Sequence, residues 1–554
     1  MKKYTVPNKK IPVIRDSYGY KTISEMVEKS ADKYGSKTAY EIPRNGKIIK
    51  YSFSDVIDLV QKLSRHLNEI GISKGDRVAI IGENRPEWAI SFFALSWIGA
   101  VAVPLDARAS EDNHKLAISH SEAVAAITSK SFHDSIKSLS SSAPSLRTII
   151  RMEELDNINN KYYKGIGSAV IAPDDLMQIL FTSGTTGDPK GVMLTHKNLM
   201  SNVEEVHKII EFSEDDTAFS ILPIHHVYEC TGGLLCTFYN GVRVFYSRSL
   251  KPREMLADLK TASPSIWLNS PLILEKLYQR ISKELSSQTG VKSIIANMLP
   301  KNVIGKKVRQ KLGLSNIKLI LSGGAALSDW VGDGLCELGF PIIQGYGLSE
   351  SAPLLSVNPA SNPKNESVGM VIPGVELKIV DVDSEGNGEI WARGDNIMKG
   401  YYKNDSATKE VLTEDGWLKT GDIGYFDEDG YLYITGRKKY IIVTKGGKNV
   451  FPEEVEEKLC KSPFIKEAMV FSPDDSQIQA LIFPNTEEIK QELDKSGTSY
   501  SAEICRDFIQ KEIREINRNL EAYKKVSRFE IREEEFPKTT TRKIKRHLFK
   551  DYKI

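Results

Sequence analysis

The succession RVAIIG (Arg77–Gly82), PEWAISFFALSWIGA (Pro86–Ala100) and VAVPL constrains the fold more than any other feature of the chain. A short β-rich run leads into a helical pattern, and a second β-rich run follows. The theme returns further on: VRVFYS, SIWLNS, IKLILSGG and FPIIQGYG each read as a strand running into a turn of small residues. Such alternation predicts doubly wound α/β layers with parallel strands. In sheets of this kind ligands sit where loops leave the carboxyl ends of strands, and several glycine-rich segments here fall at such a position.

A chain of 554 residues is too long for one ordinary core. From about Val368 the texture changes to short strands and turns, VELKIVDVDSEGNGEIWARG and then GYFDEDGYLYITGRKK, with EDG as a hairpin signal. Beyond it, a helix (Pro452–Lys461), two strands (Glu467–Phe471 and Ala480–Phe483) and a charged helix (Ala502–Asn519) suffice for a small α+β domain. The predicted division is a large domain over 1–438, β-rich over about 368–438, and a small domain over 439–554. The boundary falls at Arg437-Lys438-Lys439.

Lys+Arg 75 against Asp+Glu 73 leaves a net charge of +2, which argues against a dedicated nucleic-acid binder. The five cysteines (Cys230, Cys236, Cys336, Cys460, Cys505) include no CxxC pair and read as reduced core residues of a cytoplasmic protein. The basic N-terminus has no apolar stretch behind it, so no signal peptide is predicted. No run of about 18 apolar residues predicts a spanning helix. The C-terminal RKIKRHLFKDYKI reads first as a solvated basic tail. Weak peripheral contact with an anionic lipid surface at the inner face of the membrane is the one membrane role left open to it. Nothing in the sequence sets an oligomeric state.

FTSGTTGDPKG (Phe181–Gly191) follows the strand-like LMQILFT and precedes GVML and a helix with Thr195 as N-cap. The loop therefore joins strand to strand and does not open a helix. The GxxxxGK[ST] phosphate loop fails here in spacing and in context, since Lys190 is followed by Gly191. The composition still suits an anion: glycines bring backbone N–H groups close, hydroxyls donate to oxygens, and one lysine supplies charge.

Four further segments fit the same task. GYGLSES (Gly345–Ser351) places Tyr346, Gly347, Ser349 and Glu350 after a strand: a ring to stack on a base and a carboxylate to hold Mg²⁺. DGWLKTGD ends on Asp422, suited to a ribose diol. TGRKKYIIVTKGGKNVFPEEVE offers Arg437 and a glycine pair at the domain boundary, and FPKTTTRKIKR presents Lys543 near the chain end. Taken singly, each is also what an ordinary turn or hairpin contains.

Together, and in this order, the segments resemble the adenylate-forming superfamily of acyl-CoA synthetases, peptide-synthetase adenylation domains and luciferases. The resemblance implies a two-step ligase using ATP, Mg²⁺ and a thiol such as CoA, with a small mobile C-terminal domain that rotates between steps. It assigns Thr182, Ser183, Gly184, Thr185, Thr186, Gly187 and Lys190 to the triphosphate. Tyr346 and Gly324 go to adenine, with Gly347 and Ser349 beside them, and Asp422 and Arg437 to the ribose. Thr182 and Glu350 are implied for Mg²⁺, Lys543 for charge neutralisation in the first step, Lys439 for the hinge, and Gly446 for passage of the pantetheine arm. Arg542 stands before Lys543 where the family usually has glycine, and Lys545 is the alternative lysine.

LPIHHVYEC (Leu222–Cys230) bears on the acid. Read as a strand, its two histidines face opposite ways and cannot pair on a metal. The HHxxxD acyltransfer pattern fails because Cys230 stands where Asp is required. In the resembling family this segment borders the acyl pocket. His226 is then assigned to gating or to the adenylate carbonyl, with Tyr228 and Glu229 behind it, and His225 to packing. HHVYE with DGWLKTGDIGYFDEDGYLYITGRKK looks most like long-chain fatty-acid ligases. Trp267, Leu268 and Pro271 read equally as tunnel lining or as core. The implied partners are a fatty acid, ATP and CoA. A free-standing acyl-carrier-protein ligase and ligases of medium-chain or aromatic acids share the motifs.

Overall fold

The computed structural model describes residues 4–157, 170–182, 189–286, 300–445, 448–473, 477–495, 497–538, 544–549, 552 and 554. Among these, two large sheets carry the molecule. One has nine strands in the spatial order Met370–Val371, Leu354–Val357, Ile342–Gly347, Leu319–Ser322, Ile266–Asn269, Thr217–Ser220, Arg243–Tyr246, Thr38–Arg44 and Lys47–Ser52. The other has seven: Gly400–Tyr401, Lys190–Thr195, Leu176–Thr182, Val101–Pro104, Arg77–Ile81, Ala125–Thr128 and Thr148–Arg151. Interior pairs are parallel, as in Ile320 against Ile342. Antiparallel pairs lie toward both margins of the nine-stranded sheet and toward one margin of the seven-stranded sheet, as in Phe181 against Gly191, while the other margin, Ala125–Thr128 with Thr148–Arg151, is parallel. The doubly wound expectation is met.

The helices form three layers around these sheets. Pro86–Ile98 is buried on almost every side, which its unbroken apolar sequence requires, and it lies in the largest core with residues of both sheets, such as Ile80, Ala102, Ala218 and Leu321. Trp88, Phe92 and Phe93 are fully buried there. A second core, with Phe219, Trp267, Leu274 and Val331, covers the other face of the nine-stranded sheet; a third, with Ala79, Val103, Ile118 and Ile136, covers the other face of the seven-stranded one.

The β-rich region is a five-stranded antiparallel sheet of Val375–Val380, Gly388–Gly394, Leu418–Phe426 and Leu432–Arg437, edged by Tyr4–Thr5. The EDG turn joins the last two strands of this hairpin, pairing Asp422 with Arg437. From Ile442 onward a separate core surrounds Val455, Ile482 and Ile509, with the three-stranded sheet Ile465–Phe471, Ile478–Pro484 and Val526–Ile531. All five cysteines are free: Cys230, Cys236 and Cys505 are buried, Cys336 and Cys460 half-buried. Among the described residues no helix is long and apolar enough to cross a membrane.

Candidate functional site

At one end of the site three residues from distant parts of the chain meet on one carboxylate. The Tyr346 hydroxyl donates to Asp422 Oδ2 at 2.7 Å, and Arg437 Nε lies 2.9 Å from Oδ1. Asp422 is only 3% exposed, so these partners supply the hydrogen bonds that water would otherwise make. The Asp422 N–H donates to Thr420 Oγ1, and Thr420 in turn donates to the Ile390 carbonyl. Burial works against the Arg437 charge, but Asp422, Tyr346 and Glu350 outweigh it and raise the pKa. Beside this knot lies a cavity of about 390 Å³ lined by Gly421, Arg437, Lys438, Lys439 and Tyr440. Three cationic side chains in one lining suit a polyanionic ligand. Gly324 follows a strand of the nine-stranded sheet with φ +86°, and a side chain there would meet nothing within 4 Å. Gly347 is required by close approach, because a Cβ would run into the Pro353 carbonyl. Ser349 and Glu350 form the helical turn directly after it.

The second end is built on the hairpin Leu176–Thr182/Lys190–Thr195, where Thr182 pairs with Lys190. The Lys190 ammonium lies 4.9 Å from the centroid of the Tyr401 ring, and the Tyr401 hydroxyl donates to Glu350 Oε1 at 2.8 Å. The Met398 N–H holds the Glu350 carbonyl at 2.9 Å. Thr182, Lys190 and Glu350 are thus joined through Tyr401, which sequence reasoning missed. Ser183, Gly184, Thr185, Thr186 and Gly187 lie outside the described residues.

Mg²⁺ fits this donor set. Among the described residues no lysine or arginine forms an ion pair with the Glu350 carboxylate, and no group of three or more His, Cys, Asp or Glu side chains is placed to hold a metal. Mg²⁺ is commonly bound by one or two carboxylates plus substrate phosphates and water, so the single carboxylate of Glu350 is a sufficient protein ligand.

The histidines require a correction. The strand ends at Ser220, and His225 and His226 lie in a turn that leads into the wide helical segment Glu229–Leu235, where the Cys236 N–H reaches back five residues to the Thr231 carbonyl. Pro223 has no N–H to extend a ladder, and Asn84 captures the backbone on either side of it. The Tyr228 N–H donates to His226 Nδ1 at 3.3 Å, which leaves the ring proton on Nε2. His225 Nε2 faces Asp106 Oδ1 at 3.4 Å, and burial lowers its pKa to about 4. The Tyr228 hydroxyl donates to the Leu321 carbonyl. Trp267 is core, edge-on to Phe219, while Leu268 packs against Gly232.

At the C-terminal side, Lys439 sits in a short turn, Lys438–Tyr440, and Lys438 pairs with Glu389 at 2.8 Å. Gly446 and Lys543 lie outside the described residues, but the flanking Lys538 and Ile544 pair in an antiparallel bridge. Arg546 binds Glu456 and stands over the Tyr440 ring at 5.1 Å. Arg546, Arg437 and Asp422 all act electrostatically on Glu453.

The family model for AMP-binding enzymes matches residues 27–402, and the model for their C-terminal domain matches 439–553. The chain belongs to the AMP-binding enzymes. Among relatives of this AMP-binding enzyme, the long-chain-fatty-acid–CoA ligase FadD15 of Mycobacterium bovis is 31% identical over 80% of this chain and 79% of its own. The chloroplastic long-chain-fatty-acid–[acyl-carrier-protein] ligase AEE15 of Arabidopsis thaliana is 27% identical over 89% and 80%. In fold it is similar to ATP-bound MatB from Rhodopseudomonas palustris, with TM-score 0.78 and 23% identity over 96% of this chain and 99% of that one.

Besides Tyr401, sequence reasoning passed over Thr420, Tyr440, Asn84 and Asp106 in this AMP-binding enzyme. Thr420 stands two residues before Asp422 in a motif already singled out. Tyr440 stands three residues after Arg437 in another such motif, and Tyr401, Asn84 and Asp106 owe their place to contacts distant in the sequence, for which no local signal exists.

Proposed function

We propose that the protein is an ATP-dependent acid–thiol ligase that joins a long-chain fatty acid to CoA through an acyl-adenylate. The observation that carries this reading is the convergence of Tyr346, Asp422 and Arg437 beside a cationic cavity, with Lys190 and Glu350 linked through Tyr401. A carboxylate oxygen attacks the α-phosphorus, the bond to the bridging oxygen breaks, and pyrophosphate leaves. The thiol sulfur then attacks the acyl carbon, AMP departs, and the thiol proton passes to solvent.

In this reading Tyr346 and Gly324 border adenine, with Gly347 and Ser349 shaping that turn, and Asp422 and Arg437 take the ribose hydroxyls. The loop Thr182–Lys190, including Ser183, Gly184, Thr185, Thr186 and Gly187, wraps the triphosphate. Thr182 and Glu350 hold Mg²⁺, which neutralises phosphate charge. The His226 Nε2–H donates to the acyl carbonyl oxygen, in keeping with its tautomer. Lys543 neutralises the leaving pyrophosphate. Lys439 is the hinge between a body over 1–438 and a lid over 439–554, and Gly446 lets the pantetheine arm pass.

The names of the relatives support a long-chain acid, and AEE15 supports a second reading in which an acyl carrier protein is the acceptor. The test is pyrophosphate release over a panel of long-chain, medium-chain and aromatic acids, followed by acylation of CoA or of acyl carrier protein. Release with palmitate and formation of palmitoyl-CoA is the expected result. Release without CoA acylation moves the acceptor to the carrier protein, and no release with any acid overturns the ligase reading.

A further inference from the structure

The turn that carries His226 belongs to the nine-stranded sheet, yet two side chains of the seven-stranded sheet hold it. Asn84, in the loop after Arg77–Ile81, donates Nδ2 hydrogens to the Leu222 carbonyl at 2.6 Å and to Ser220 Oγ at 2.9 Å. It also accepts the Ile224 N–H on Oδ1 at 3.0 Å. With both ends of the amide engaged, its orientation is fixed. Ser220 passes its own hydrogen on to Glu229 Oε1 at 2.6 Å, just beyond the turn.

Asp106 acts one residue later. It sits in the loop after Val101–Pro104, where its Oδ1 accepts the Arg108 N–H at 2.9 Å and its carbonyl meets His114 Nε2 at 2.7 Å. So anchored, the carboxylate faces His225 Nε2. Leu222, Ile224 and His225 are therefore held from across the molecule, and His226 comes next. The anchoring loops leave strands of the same sheet that carries Thr182 and Lys190.

We propose that Asn84 and Asp106 are positioning residues that set His226 relative to the sheet carrying Thr182 and Lys190, so that adenylation rate depends on these contacts between the sheets. The proposal rests on the reading of His226 as the donor to the acyl carbonyl. A donor aimed at a developing charge acts only when correctly placed, and a misplacement of about 1 Å costs on the order of 100-fold in rate.

The experiment is a double-mutant cycle on the full chain, measuring kcat and KM for acid-dependent pyrophosphate release, with circular dichroism melting of each variant. Asn84→Ala and Asp106→Ala are expected to lower kcat about 10- to 100-fold while KM for ATP moves less than about threefold. Made in a His226→Ala background, the same changes are expected to cost less than about threefold more. Asn84→Asp, which keeps the acceptor for Ile224 and loses both donors, serves if Asn84→Ala does not fold. An impaired His226→Ala with fully additive losses, or losses confined to KM for ATP, overturns the positioning role alone. A His226→Ala enzyme with unchanged kcat overturns the reading of His226 and this proposal with it.

Discussion

Replacing Glu229 by glutamine should stabilise the protein at neutral and alkaline pH while leaving it unchanged in acid. Glu229 is 2% exposed; Oε1 accepts from Ser220, and Oε2 has no partner among the described residues. The hydroxyl of the neighbouring Tyr228 donates to the Leu321 carbonyl. Burial raises the pKa from 4.5 to about 8, with Ser220 opposing weakly. Below pH 4.5 both folded and unfolded chains hold the proton, and pH has no effect through this group. Between 4.5 and 8 only the folded chain holds it, so stability falls as pH rises, by about 1.4 kcal/mol per unit. The accumulated loss is about 3 kcal/mol at pH 7 and at most about 5 kcal/mol at pH 8, beyond which it is constant. Glutamine keeps the acceptor for Ser220 and has nothing to ionise. Urea unfolding of both proteins at intervals from pH 4.5 to 9, read as the difference between them, isolates this one group. Parallel profiles across that range would refute a protonated Glu229.

Three other outcomes follow from the site. Asp422→Asn, which removes the charge on which Tyr346 and Arg437 converge, should raise KM for ATP about 10- to 100-fold, measured with the acid saturating. Tyr401→Phe, which unties Glu350 and keeps the ring beneath Lys190, should shift the Mg²⁺ concentration for half-maximal pyrophosphate release several-fold and leave KM for the acid in place. Lys543→Ala should abolish pyrophosphate release by more than about 100-fold yet still transfer the acyl group of a supplied acyl-adenylate to CoA; equal loss of both steps removes its assignment to the first.

The alternation of patterns revealed the layers because each signal is local. Arg77–Ile81, Pro86–Ile98 and Val101–Pro104 appear as read, and the Thr195 hydroxyl caps its helix by accepting the Asn198 N–H at 3.1 Å. Sheet membership was not legible. The pair Thr38–Arg44 and Lys47–Ser52 closes one edge of the nine-stranded sheet against Arg243–Tyr246, and Tyr4–Thr5 edges a sheet that begins hundreds of residues later. The histidine turn was misread because Ile221, Leu222 and Ile224 carry strand propensity. Tertiary contacts from Asn84 and the missing N–H of Pro223 overrode it.

The same contrast explains how the site is held. Tyr346 comes from the nine-stranded sheet, Asp422 and Arg437 from the five-stranded one, and Thr182, Lys190 and Tyr401 from the seven-stranded one. The largest core, in which Trp88 and Phe92 are fully buried, packs residues of all three sheets together, and truncating such a residue costs about 3–5 kcal/mol of stability. The registry between sheets at the site, by contrast, runs through a few polar contacts: Tyr346 to Asp422, Tyr401 to Glu350, and Asn84 to the His226 turn. A hydrogen bond contributes only about 0.5–1.5 kcal/mol net to folding, yet its direction decides where a reacting group points. Substitutions at these contacts should therefore reduce rate far more than stability, and core substitutions should do the reverse.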